Sequence, residues 1–484
     1  MKTIGCTIGL LTLFLLANSS SLASSEKLLS VEERIHGLSL IWKEASYNFA
    51  YFDQVPDLDW DATYLEFIPK VINANSNFDY YRLLTRFVSL LSDGMTSVEM
   101  PEGLVENHID FPAVKLAEAN RQAVVIAVDQ RYKTELPLGS VILKVDGKAV
   151  EDKVKQDVFP YISSSTEHIR WHKGIRGSSA FGYGLLAGVP GTWAEIKVKY
   201  PHGEEKTLKI RRDARDRTIG WHSVKGLGSD DDFQFQLLDN GMAYLALNSF
   251  DNEEVIEKFR NVLHRLKLVR GLIIDLRYNA GGNTYIAEEI VKHLSYYDIP
   301  GARTRMRIHN STFKAWGRYA EDFSWAEKYR PYFEGDAWLV NEPEIVSVDG
   351  VDKVVIPTIL LIGRETSGAA EDFLVYTDSL KHFTTIGEPT FGSTGQPLLV
   401  ELPGGGRAYI CTKRDMFSDG RDFVGYGIQP DIKVVRDVDY YLSREDAVLE
   451  RAKALLINEA GRLGQGALDG NAYQALNQSN VNPN

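Results

Sequence analysis

Two cysteines in 484 residues are too few to staple a fold. Cys6 lies just before an N-terminal apolar stretch, so a chain that loses this end keeps Cys411 alone and can form no internal disulfide. Its stability must come from packing, which an oxidising compartment permits as readily as a reducing one. Basic excess is lacking as well. With 54 Lys and Arg against 66 Asp and Glu the net charge is -12, and no Lys/Arg cluster interrupts that acidity, which argues against nucleic acid as a partner. Long apolar runs are missing: the stretch from Ile8 to Ala17 is shorter than the roughly 20 residues a membrane span needs, and none downstream exceeds it. Among ten histidines, His168 and His172 alone have a paired ligand spacing, with no third ligand of matching type, so neither a metal nor a cofactor is expected.

What is present begins with Lys2, the apolar run, and small residues at Ser21 and Ala23, the layout of an export signal cleaved after Ala23. The expectation is a protein delivered to the periplasm or secreted, with residues 1–23 removed. The remaining composition, 44% hydrophobic and 25% charged, suits two or three globular domains with a sizeable core.

From residue 24 to about 105 apolar residues recur three and four apart, in RIHGLSLIWKEASYNFAYF and FDYYRLLTRFVSLL, which predicts an α-helical N-terminal domain. Between 106 and 215 the period shortens to that of strands in AVVIAV, SVILKVDGKAV, AEIKVKY and KTLKIRR, giving a small β-rich domain. Asp146-Gly147 between two alternating runs predicts a type I′ hairpin. From 216 to 460 strands and helices alternate, the pattern of an α/β layer with βαβ crossovers. A last helix is expected near Ser443 to Ile457, followed by a Gly/Asn/Gln-rich tail over 461–484 expected to be disordered.

Two segments place reactive chemistry at the carboxyl ends of buried strands. In GLIIDLRYNAGGN, Gly281 and Gly282 follow an apolar run and precede a helix, which lets backbone N–H groups approach a ligand and meet developing negative charge as an oxyanion hole would. A tight strand-to-helix turn would need the same glycines. In TILLIGRETSGAAEDF a second buried strand turns into a helix beginning near Gly368 and Ala369. A hydroxyl there, from Thr366 or Ser367, would stand over the sheet as at a nucleophile elbow, or would simply cap the helix.

With these segments in view the chain resembles the tail-specific, or C-terminal processing, serine peptidases. The resemblance runs through LDWDATY, LLSDGMTSV, GSVILKVDGKAV, DLRYNAGG, TSGAAEDF, GEPTFGSTGQP and GYGIQPDI. It implies an α/β catalytic domain of crotonase/ClpP-like superhelical type, preceded by the helical domain and by a PDZ-like domain. It also implies peptide or unfolded protein as the partner, and an oxyanion role for the backbone at Gly281 or Gly282, with Gly368 and Ala369 beside it.

The family's nucleophile stands three residues before the glutamate that is Glu371 here, and that position is Gly368. The histidine of the serine–histidine branch falls on Met95, and a thioether takes no proton. The lysine of the other branch falls on Ser393, and the orienting carboxylate on Val424, with Asp422 two residues earlier. Two readings follow: a peptide-binding protein that kept the cleft without its chemistry, or an active peptidase in which Ser367 is a relocated nucleophile and Asp422, Ser393 or a histidine from elsewhere completes the constellation. A third, a crotonase-like thioester enzyme, would share the sheet and the oxyanion hole without accounting for the PDZ-like domain.

Overall fold

The computed structural model describes residues 27–215, 217–224, 231–443 and 445–466. The expected export signal, its expected cleavage point and Cys6 lie outside the described residues.

The centre of the molecule is a six-stranded sheet in the order Ile432–Lys433, Phe383–Gly387, Thr358–Ile362, Gly271–Asp275, Met242–Leu247, Phe233–Leu238. Every neighbouring pair is parallel except the last, which is an antiparallel hairpin pair. Gly271–Asp275 and Thr358–Ile362 are buried along their whole length, as continuous apolar runs in the middle of a parallel sheet must be. The crossover helices Glu254–Leu266, Thr284–Val291 and Ala369–Thr377 follow the strands as the alternation predicted. The mixed α/β architecture expected from the sequence is therefore present.

The first helices are Val31–Asn48, closed by a Ser30–Glu33 capping box, then Trp60–Ile72 capped by Asp59, and Asn77–Ser89 capped by Ser76. They do not build a core of their own. Leu38, Ile41, Tyr80, Leu84 and Phe87 belong to the same buried cluster as Leu245, Ile274, Leu360 and Phe373. The short strand Ser97–Glu99 also pairs with Arg407–Cys411 from the other end of the chain. The expected helical domain 24–105 is thus one wall of the α/β unit. An amphipathic helix announces that one face is buried, and its own sequence does not say what covers it.

The β-rich segment keeps a separate core around Val125, Ile142, Val145, Trp171, Ile196 and Val198. Its hairpin turns as predicted, with Asp146 at φ 51° and Gly147 at φ 82°, and Val145 opposite Lys148. Its sheet also takes in Trp221–Ser223, paired with Gln122–Asp129, so the boundary expected at 215 falls several residues later. The last helix runs over Ala447–Gly466, so residues 461–466, assigned to the tail, are helical, and 467–484 lie outside the described residues. One element had no sequence expectation: between Gly271–Asp275 and Thr358–Ile362 a long excursion adds the strands Arg303–Arg307 and Trp338–Asn341, joined by short aromatic helices.

A buried ion network fastens the β-rich unit to the α/β unit. Arg364, just past the strand Thr358–Ile362, donates to Glu118 and, at 2.9 Å, to Glu388. Arg436 donates to the second oxygen of Glu388 at 2.5 Å. Removing one member of such a set leaves a buried charge unpaired, a loss of about 3–5 kcal/mol.

The shared core makes a direct prediction. Leu84→Ala on the third helix should cost about 2–5 kcal/mol and lower the same unfolding transition that Ile274→Ala lowers, as read by denaturant titration. A separate early transition moved by Leu84→Ala alone would show that the helices fold by themselves.

Candidate active-site cleft

Asp275 and Leu361 are register partners on adjacent parallel strands, so the two chains leave the sheet side by side at its carboxyl edge. That is where ligands bind in open α/β sheets. In the first loop Asp275 accepts from the Arg277 guanidinium and from Tyr244 Oη at 2.8 Å, and Arg277 also grips Asp446 at 2.6 Å. Asp275 and Arg277 thus hold the loop's exit and do not face the cleft. Asn279, fully buried, continues the work: its Nδ2 donates to Leu247 O at 3.0 Å and its backbone carbonyl accepts from Ser367 N at 3.1 Å.

Gly281 and Gly282 adopt φ of 101° and 128°. A Cβ on Gly282 would stand 2.3 Å from the Phe250 backbone, and one on Gly281 would stand 2.9 Å from Ser367 O and 3.2 Å from Ala369 N. Gly281 must be glycine for the two loops to touch, and Gly282 for the first loop to pass the Phe250 backbone. The Gly281 amide is not available as an oxyanion donor, because it donates to Asn279 Oδ1 at 2.9 Å. That leaves the amides of Gly282, of Gly368 and of Ala369, the first residue of the helix Ala369–Thr377, without an acceptor among the described residues.

In the second loop Thr366 is a latch: its hydroxyl donates to Leu276 O at 2.8 Å and accepts from Gly363 N at 3.0 Å. Ser367 Oγ donates to Ala280 O at 2.9 Å. Neither hydroxyl caps the helix; the N-cap is Gly368, at φ 54° and ψ -124°. This is the sharp strand-to-helix turn that an elbow requires, unstrained for glycine, and a side chain there would cost about 1–3 kcal/mol in backbone strain. Space is not the obstacle. A Cβ on Gly368 would have Gly281 Cα at 3.7 Å and Met95 Cε at 3.8 Å as its nearest neighbours. The structure therefore brings together the two positions that the resemblance pairs as nucleophile and base, though 273 residues separate them, and fills them with hydrogen and a thioether.

The other candidates are engaged in other contacts. Ser393 is fully buried, its hydroxyl donating to Asp93 Oδ1 at 3.2 Å. Val424 is buried and offers its carbonyl to Gln54 Nε2 at 3.0 Å. Asp422 pairs with Arg414 at 3.3 Å, and Arg414 is shared with Asp53. Among the described residues the Ser367 hydroxyl bonds to the Ala280 carbonyl and not to Asp422. His168 and His172 do fall on one helix, Glu167–Arg176, but His168 Nε2 meets Thr390 O at 2.8 Å while His172 stands 3.5 Å from Glu365. Burial lowers the affinity of both imidazoles for protons, that of His172 to a pKa of about 3. Among the described residues no group of three metal-binding side chains forms.

Sequence reasoning missed the polar floor behind Met95. Glu371, fully buried, accepts from Thr390 Oγ1 at 2.5 Å and from the amides of Gly392 and Ser393. Asp93 accepts from Thr96 Oγ1 at 2.6 Å and from the hydroxyls of Ser165 and Ser393. Burial raises both carboxyls, Glu371 to about 8, and lowers Lys173, which lies over the Phe391 ring, to about 8. These groups hold the loop 390–393 and the turn 93–96 against each other, and so set where Met95 sits. The signal available in the sequence was the spacing of Asp93 and Glu371 from the two lost positions.

Glu371 binds its proton more tightly in the folded chain than in the unfolded one, near pH 8 against the ordinary 4.5. Its stabilising contribution is complete below about pH 4.5 and is lost as pH rises through 8, with a slope of at most about 1.4 kcal/mol per pH unit. Denaturation midpoints at pH 5 and pH 8 should therefore differ less in Glu371→Gln than in the natural chain. An equal difference in the two would place the titration elsewhere.

Comparison with known proteins agrees with this geometry. Residues 241–434, less than half of the chain, match the model of peptidase family S41. The carboxy-terminal processing protease CtpB of Bacillus subtilis (strain 168) is 21% identical over 293 residues, 60% of this chain and 54% of that protein, so the match spans about half the length of this relative. Among solved structures, mature CPAF superposes with a TM-score of 0.67 at 14% identity, covering 89% of this chain and 98% of that one. The same protein complexed with lactacystin gives 0.66 at 13%, covering 90% and 98%. At such identities the structural likeness speaks for the fold. Together with the cleft between the Gly281 loop and the Gly368 turn, the match establishes that the chain carries a domain of peptidase family S41, the tail-specific or C-terminal processing proteases.

Proposed function

We propose that this protein binds extended peptide or unfolded-protein segments in an S41-type cleft without hydrolysing them, and that it does so after export from the cytoplasm. The observation that carries the reading is Gly368: an elbow backbone with no side chain, facing Met95 across ordinary contact distance. Loss of a nucleophile or of its base in a serine protease lowers turnover by about a millionfold, and here both positions are empty of chemistry. The amides of Gly282 and Ala369 remain able to hold a bound carbonyl, and main-chain hydrogen bonding beside the Asp275–Gly282 segment supplies the rest of the affinity.

The second reading, a relocated Ser367 nucleophile, has less support. Its hydroxyl is spent on Ala280 O, it precedes the elbow by one residue, and Asp422 is engaged by Arg414. A thioester activity has no separate observation in its favour. Export rests on the N-terminal pattern of Lys2, the apolar run and Ala23.

The test is hydrolysis of reduced, alkylated casein by the purified chain. The expected result is no turnover above background in the natural chain, retained binding of the unfolded substrate, and hydrolysis appearing in Met95→His with Gly368→Ser. Turnover in the natural chain that disappears in Ser367→Ala would instead establish the relocated nucleophile.

A further inference from the structure

The excursion between Gly301 and Pro357 carries a surface that the cleft does not use. Its segment 311–336 folds into the helices Ser311–Gly317, Ser324–Tyr329 and Arg330–Glu334. The turn is firmly packed: the Phe313 ring lies 5.7 Å from Trp316 and 4.9 Å from Tyr329, and a Cβ on Gly317 would stand 2.3 Å from Tyr329 O. Yet Trp316, Tyr319, Phe323, Trp325 and Phe333 are each between 39% and 53% exposed. Beside them Trp338–Asn341 is an edge strand. Among the described residues it pairs with Arg303–Arg307 on one side only, and its Leu339 and Val340 are nearly half exposed. Proteins normally guard such edges with charge, proline or a covering element.

Size and charge indicate what covers this face. Aromatic side chains offer about 150–250 Å² each, so five rings about half exposed leave on the order of 500 Å². Leu339 and Val340 bring that toward the roughly 800 Å² per partner of a specific protein interface, above the few hundred Å² usual for the apolar patches of a monomer. Segment 311–336 holds four basic residues, Lys314, Arg318, Lys328 and Arg330, against five acidic ones, on a chain whose net charge is -12. Arg330 is moreover neutralised locally by Glu327 and Glu334. Two copies can meet here without the repulsion that the rest of their surfaces imposes, and the face holds no cationic excess to draw it to anionic lipid.

We propose that the aromatic segment 311–336 and the edge strand Trp338–Asn341 form the self-complementary interface of a two-fold homodimer of this chain. The edge strands lie against each other across the axis, and the exposed rings of one copy pack on those of the other, as an isologous contact requires.

Sedimentation equilibrium of the purified full chain across micromolar concentrations should give twice the monomer mass. Val340→Lys, which puts a charge on the edge, and separately Trp325→Ser should each weaken the association at least about tenfold, with circular dichroism unchanged and the unfolding midpoint of the dissociated monomer at high dilution unchanged, because both positions are exposed. A monomer at every concentration, or a dimer indifferent to both substitutions, overturns the proposal. So does a monomer that binds phosphatidylcholine vesicles through Trp325, which would give the face to lipid. A monomer that dimerises only after residues 467–484 are removed would give it to the chain's own tail, with the same consequence.

Discussion

Everything distinctive about the cleft depends on one close approach, the Cα of Gly281 laid against the turn Ser367–Ala369. Neither side has room for a Cβ on Gly281, and the Phe250 backbone allows none on Gly282. That contact exists because two parallel strands end level with each other, and because buried polar groups pin each loop from behind: Asp275, Arg277 and Asn279 on one side, Thr366 on the other. Each of these groups is satisfied in the folded chain, so disturbing one leaves a buried partner unpaired. The scaffold is therefore costly to deform, and it keeps an elbow conformation at Gly368 although no side chain there uses it.

That persistence separates two things usually seen together, the architecture of a catalytic site and its reactive atoms. Glycine tolerates φ 54° without strain, so loss of the side chain relieves the turn and leaves its shape to the surrounding hydrogen bonds. Met95 fits the neighbouring volume as an adaptable apolar side chain, held by a polar floor of Asp93, Ser393 and Glu371 that remains fully engaged. On the proposed function, a cleft built in this way retains affinity for a peptide carbonyl without attacking it.

Much of this was legible in the sequence, for identifiable reasons. Apolar runs ending in glycine marked both cleft loops, Asp146-Gly147 marked its hairpin, and motif spacing placed the gaps at Gly368 and Met95. What escaped was relational. Which face covers the first helices is decided by residues such as Ile274 and Phe373, far away in the chain. The pairing of Asp422 with Arg414 depends on a strand contact, and the use of the Gly281 amide by Asn279 on a local turn that no composition signal announces. The long aromatic excursion had no periodicity to read, because its helices are short and packed by rings.

The most direct check of the empty elbow is covalent labelling with a fluorophosphonate, which reacts with serine hydroxyls activated by a base and an oxyanion hole, followed by mass spectrometry of the intact chain and its peptides. With the Ser367 hydroxyl donated to the Ala280 carbonyl and glycine at 368, the expected mass is that of the unmodified chain. A stoichiometric adduct on Ser367 would contradict the account and show that the nucleophile had moved by one residue.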